Sequence, residues 1–123
     1  MAKTDAEEVV DRFLATWPRG EVEEWLAFFA DDAINHNVPL EPAVGMEAIH
    51  AHMHDFLGFM DGGIRPEVHH QVSDGTLVMN ERTDHYEVKG QPKSLAICGV
   101  FEIEEGRIKR WREYFDLSAF SGP

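Results

Sequence analysis

Asn80-Glu81-Arg82-Thr83-Asp84, Leu95-Ala96-Ile97-Cys98-Gly99-Val100-Phe101 and Trp111-Arg112-Glu113-Tyr114-Phe115-Asp116 read as three neighbouring strands. The period of two along a strand places Asn80, Arg82, Asp84 and Tyr86 on one face, opposite Glu81, Thr83 and His85. Leu95, Ile97, Gly99 and Phe101 share a face of the next strand. Trp111, Glu113 and Phe115 share one in the last, opposed by Arg110, Arg112 and Tyr114. If these faces coincide, a guanidinium and two carboxylates meet among aliphatic and aromatic side chains. Such charges are costly to bury unless they pair. They are also the groups that can protonate one atom of a substrate while activating water at another. The bland alternative is a structural ion pair, Arg82 with Asp84 or Glu113, at an open sheet edge. Alternation alone does not say which face is inside, and a β-bulge would exchange the two.

Turn signals at Asp74-Gly75, Lys89-Gly90 and Glu105-Gly106 divide the C-terminal half into strands near 64–73, 76–88, 93–104 and 107–116. Turns this short imply an antiparallel meander. The N-terminal half is patterned differently. Thr4-Asp5-Ala6-Glu7 has the form of a capping box, and Val9, Val10, Phe13, Leu14 and Trp17 continue it as a helical stripe that Pro18-Arg19-Gly20 ends. A second short helix is expected over 21–29. A third is expected over 46–60, with Ile49, Met53, Phe56, Leu57 and Met60 on one face. Between them Asn35-His36-Asn37 falls in a short strand or loop, and Pro39 and Pro42 keep the following segment extended. Helices first and a curved antiparallel sheet second is an α+β plan, with a pocket between the two layers. Asp116, on the opposite parity from Phe115, is read as the cap of a last short turn near 117–120.

A chain of 123 residues is read as one domain, 1–123. Its 43% hydrophobic and 11% aromatic residues make it globular rather than disordered. Eleven basic against 23 acidic residues give a formal charge of −12, which argues against nucleic acid and anionic membrane as partners. The absence of an apolar leader core or a spanning stretch, with the lone Cys98 in an apolar run, is read as cytoplasmic, and Cys98 as a small core residue. His50, His52 and His54 space two imidazoles four apart on the third helix, but no adjacent Glu completes a zinc-hydrolase motif, so no metal is expected. His69 and His70 should face opposite ways in a strand, so at most one could join a site. Buried, the Asn35 and Asn37 amides could position a water; alternatively they are turn chemistry before a Pro-rich loop.

Taken together, Arg82-x-Asp84, Leu95-x-Ile97-x-Gly99-Val100-Phe101, Glu105-Gly106-Arg107-Ile108 and Trp111 to Leu117 resemble the limonene-1,2-epoxide hydrolases. Asn37-Val38-Pro39-Leu40-x-Pro42 and Gly45 fit the same pattern. The likeness runs colinearly from about Val9 to Phe120 and is strongest after Val78. It implies a SnoaL-like, ketosteroid-isomerase-like and nuclear-transport-factor-2-like cone: a strongly curved mixed sheet with N-terminal helices packed into it, the segment near 33–37 joining the sheet. It also implies one-step opening of a small, mostly apolar epoxide to a diol, without cofactor, by a homodimer. Carried over, Arg82 bridges the carboxylates, Asp84 donates the proton, Glu113 stands at the base position and Asn37 holds the water. Asn35 falls where the family has Tyr, and Glu113 where it has Asp. The implied substrate-binding lining is Leu14, Trp17, Phe56, Met60, Tyr86, Leu95, Ile97, Trp111 and Phe115. Two other readings of the residues remain: an isomerase or polyketide-type cyclase in which Asp84 or Glu113 abstracts a proton beside a carbonyl, and a non-catalytic pocket for an apolar ligand.

Overall fold

The computed structural model describes residues 3–120. Helix α1 spans Asp5–Thr16 and is opened by the capping box: the Glu7 N–H donates to Thr4 Oγ1 at 3.1 Å and the Thr4 N–H to Glu7 Oε1 at 3.5 Å. A 3-10 turn over Trp17–Arg19 leads to a short α2, Val22–Leu26. Strand β1, Phe29–Asn37, follows, then a two-residue β2, Ala43–Val44, and α3, Met46–Gly58. The meander is β3 Arg65–Ser73, β4 Leu77–Val88, β5 Gln91–Glu104 and β6 Arg107–Tyr114. A 3-10 turn over Leu117–Phe120 follows β6, with Asp116 Oδ1 accepting the Ser118 N–H at 2.9 Å. None of the described helices is long and apolar enough to cross a membrane.

The six strands form one mixed sheet in the order β2-β1-β6-β5-β4-β3, giving the α+β fold expected. β1 runs parallel to β6, and every other pair is antiparallel. Two hairpins set the register. Lys89-Gly90 and Glu105-Gly106 each carry two consecutive positive φ angles, 52° and 77° in the first, 52° and 76° in the second. That backbone matches the right-handed twist of the strands it joins. The first hairpin pairs Val88 with Gln91 and therefore Arg82 with Ile97 and Asn80 with Gly99. The second pairs Glu104 with Arg107, but β6 then takes one extra residue, and beyond it Phe101 faces Trp111 and Gly99 faces Glu113. Lys109 is that extra residue. Were Lys109 paired in turn like its neighbours, the hairpin would set Gly99 against Arg112 and turn Glu113 to the outer face.

The helices cover the inner face of the sheet. Phe13 of α1 is fully buried at the centre of an aromatic cluster, edge-on to Trp17, Trp25, Phe29 and Trp111 at centroid distances of 5.5, 5.7, 5.6 and 5.2 Å. Aromatic pairs at such spacings add to the stabilisation from burying their surface.

Several sequence expectations shift. The second helix ends at Leu26 rather than at residue 29, because Phe29 already pairs with Ile108 in the parallel ladder. The extended segment after Pro42 contributes β2, antiparallel to β1. Cys98 is half-buried, not a core residue: it pairs with Glu81 and Tyr114 on the outer face, while its neighbours Ile97 and Gly99 point in. A bulge between Val68 and His70 cancels the alternation expected of His69 and His70. His69 Nε2 meets Thr83 Oγ1 at 2.8 Å, and His70 lies 3.9 Å from Glu81, so both turn to the outer side.

Candidate active site

Arg82, in the middle of β4, is 1% exposed. A guanidinium has five N–H donors in one plane, and each is engaged here. Nε and Nη2 donate to Asp84 Oδ1 and Oδ2, both at 3.0 Å. Nη2 and Nη1 donate to Glu113 Oε1 and Oε2 at 2.5 and 3.2 Å. Nη1 donates its other hydrogen to Asn80 Oδ1 at 2.8 Å. Asn80 passes the chain outward, donating to Gln71 Oε1 at 3.1 Å; Gln71 donates in turn to Glu7 and Asp11 on α1, both at 3.2 Å. The guanidinium carbon lies 4.9 Å from the ring centroid of Trp17, and Trp17 stacks on Trp25 at 4.9 Å. The cation is thus held in its plane by five acceptors and on one face by an aromatic ring.

This packing requires Gly99. A Cβ there would stand 2.5 Å from both Arg82 Nη1 and Glu113 Oε2. Strand β5 runs between the two that carry the charges, and only a residue without a side chain lets them meet across it.

Asp84 and Glu113 line a cavity between the helices and the sheet. Asn35, Asn37, Trp17, Phe56, Met60, Tyr86, Leu95, Ile97, Trp111 and Phe115 line it as well. Two of the expected residues do not. Leu14 is buried on α1 within the core and does not reach the cavity. Arg82 lies behind the two carboxylates rather than on the wall. Four lining residues were not foreseen: Trp25, His52, Met53 and Ile64. His52 was legible in principle, since it stands four residues before Phe56 and so shares its helix face.

The Glu113 carboxyl is pushed above the usual carboxylate range, first because burial penalises its charge; the Arg82 charge opposes this, and the like charge of Asp84 adds to it. Arg82 stays fully charged, its two carboxylate partners outweighing desolvation. One guanidinium between two carboxylates is electrically balanced when the pair retains a single proton.

Asn37 sits beside Glu113 in the parallel ladder, and its Nδ2 lies 2.8 Å from His52 Nε2. Asn35 is 3% exposed, and its Nδ2 donates to the Trp111 carbonyl at 3.4 Å. Both amides thus give an N–H to the protein on the cavity side where Glu113 lies. His50 and His54 point away: their rings are 6.3 Å apart and His50 pairs with Glu23 at 3.4 Å. Among the described residues no group of three or more His, Cys, Asp or Glu side chains is placed to hold a metal ion.

Comparison with known proteins gives this geometry its context. The profile of the SnoaL-like domain family matches residues 10–111. Epoxide hydrolase EphG of Mycobacterium tuberculosis is 30% identical over 108 residues, which is 88% of this chain and 71% of that protein. The solved structure of an LEH-like epoxide hydrolase from M. tuberculosis superposes with a TM-score of 0.80 at 29% identity, covering 94% of this chain and 85% of the other. A Catenulispora acidiphila protein described as having a ketosteroid isomerase-like fold, solved with trimethylamine, superposes with a TM-score of 0.81 at 18% identity, over 95% and 90% of the two chains. At that identity the likeness speaks for the fold alone.

Proposed function

This chain belongs to the SnoaL-like domain family, and from that premise we propose that it is an epoxide hydrolase opening a compact, mostly apolar epoxide to a vicinal diol in one step. The observation that carries the proposal is the pairing of Asp84 and Glu113 on one buried guanidinium at an apolar cavity, with Asn37 beside Glu113. Glu113, ionised, takes a proton from water as the water oxygen attacks one epoxide carbon. The bond from that same carbon to the epoxide oxygen breaks, and Asp84 gives its proton to the departing oxygen, which stays on the other carbon. The cluster begins and ends with one proton, now moved from Asp84 to Glu113, and Arg82 between them keeps its net charge unchanged throughout. A low-dielectric cluster resists having both carboxylates charged; burial raises Glu113, so the reading requires the shared proton to stand on Asp84 when water attacks.

The test is diol formation from a panel of small epoxides, followed by a single turnover in ¹⁸O-labelled water. One-step attack places the label in the diol and none in Asp84 or Glu113. Asp84→Asn should lower kcat by at least ~10²-fold, the low end for losing a general acid. No diol from any epoxide in the panel, or near-unchanged turnover in that variant, removes the reading. A homodimer belongs to the same proposal; sedimentation velocity should give a species of twice the chain mass.

A further inference from the structure

We propose that His52 is a positioning residue for the reaction inferred above: its unprotonated Nε2 accepts an N–H of Asn37 and so holds the Asn37 carbonyl oxygen toward the water that Glu113 activates. The inference rests on the hydrolase reading, because it concerns that water.

The geometry begins with the 2.8 Å contact between Asn37 Nδ2 and His52 Nε2. An amide nitrogen offers only hydrogens. Nε2 must therefore be bare, and the ring hydrogen must sit on Nδ1, the less common tautomer of a free imidazole. The ring lies against Phe56, centroids 6.2 Å apart and planes 22° from parallel, which fixes its orientation. Both partners line the cavity, and Asn37 pairs with Glu113 across the β1–β6 ladder.

An attacking water needs one lone pair free for carbon and acceptors for both hydrogens. Glu113 takes one; with its N–H given to His52, the Asn37 amide leaves Oδ1 to take the other. If the Asn37 amide were turned, its N–H groups would face the water, and that second acceptor would be lost. His52 decides between the two orientations. Neutral, with Nε2 bare, it holds the amide as seen. Protonated, its Nε2–H can be met only by the carbonyl oxygen, so the amide turns and the water loses its acceptor. Burial pushes the His52 pKa below its ordinary value, with Asp55 on the same helix opposing. The other titratable groups around it are Glu23 of α2, taken up by exposed His50; His36 of β1, whose ring meets the Leu40 carbonyl; and Glu113, Asp84 and Tyr86 across the cavity.

The first measurement needs no substrate. In ¹⁵N-labelled protein at neutral pH, the ring nitrogens of His52 should report hydrogen on Nδ1 and a bare Nε2. Asn37→Asp should raise the His52 pKa, since a carboxylate then faces the ring. A His52 carrying its hydrogen on Nε2 overturns the proposal. The second measurement uses an epoxide that the wild type opens. His52→Leu should lower kcat about tenfold, the loss of one held hydrogen bond, with the effect in kcat rather than KM. His52→Gln, whose Oε1 can accept the same N–H and does not titrate, should restore most of that loss and extend activity to lower pH. A wild type that opens no epoxide removes the hydrolase reading and this role with it. An active enzyme whose kcat and acid limb are the same in both variants removes this role alone.

Discussion

At the scale of single residues, the cluster is a problem in counting donors. Arg82 has five N–H groups and five acceptors, so no shorter cation can replace it. Arg82→Met should destabilise the fold by about 3–5 kcal/mol at neutral pH, the cost of leaving buried charges unpaired. Acid should shrink the difference as the carboxylates take up protons, which urea melts at several pH values would show. The two shifted groups pull stability in opposite directions. For Glu113, raised in the fold, the folded state keeps a proton that the unfolded chain has released, so its contribution is full below the ordinary Glu value and falls as pH rises through the raised one. For His52, lowered in the fold, the contribution is present above about 6.5 and is lost as pH falls through the lowered value. His52→Gln should therefore lose less melting temperature than wild type between neutral pH and about pH 5. Glu113 and Asn35 stand where the resembled family has Asp and Tyr. If the longer acid reaches into space that a phenol would fill, Asn35→Tyr and Glu113→Asp should each lower turnover and the double variant recover much of it. The coupling expected in such a cycle is ~0.5–3 kcal/mol, and additive losses would show that the two sites act independently.

At the scale of elements, strand phase decides which side chains meet. Alternation along β4, β5 and β6 was enough to group Arg82, Asp84 and Glu113, because Lys89-Gly90 and Glu105-Gly106 announce their hairpins locally. The extra residue Lys109 was not legible, since nothing in Arg107-Ile108-Lys109-Arg110 distinguishes a bulge from a regular strand. Deleting Lys109 should remove the bulge and keep Glu113 opposite Gly99, because every later residue of β6 moves up one place in the ladder. The cluster and the activity should survive the deletion; a folded but inactive deletion variant would show that the register is set elsewhere. Gly99→Ala tests the same junction without moving the strand: the added Cβ should cost about 1–3 kcal/mol by overpacking and disturb both carboxylate contacts. A variant melting as wild type does would mean that Arg82 can step aside. What the sequence hid was mostly non-local. β1 reads as polar, Ala30-Asp31-Asp32-Ala33, and becomes a strand through parallel pairing with a partner about 75 residues away. Leu14 and Trp17 lie on one helical stripe, yet only Trp17 reaches past the core, because the chain turns just there.

At the scale of the whole molecule, a formal charge of −12 surrounds one buried cation. The acidic surface repels itself, so modest salt should stabilise the fold: the melting temperature should rise between about 0.01 and 0.2 M NaCl as screening shortens the reach of the repulsion. A flat response would mean that the surface ion pairs, such as Arg19 with Glu24 and Lys109 with Asp32, already offset it. The same balance sorts what can enter. Many cavities with an arginine attract carboxylates and phosphates, but here every guanidinium hydrogen is already committed and the walls of the chamber present two acids of their own. To an anion, this protein offers a negative exterior and no vacant donor on the one cation buried among the described residues. Acetate, phosphate and carboxylic-acid analogues should be indifferent spectators of the enzyme, while neutral molecules pass in unopposed.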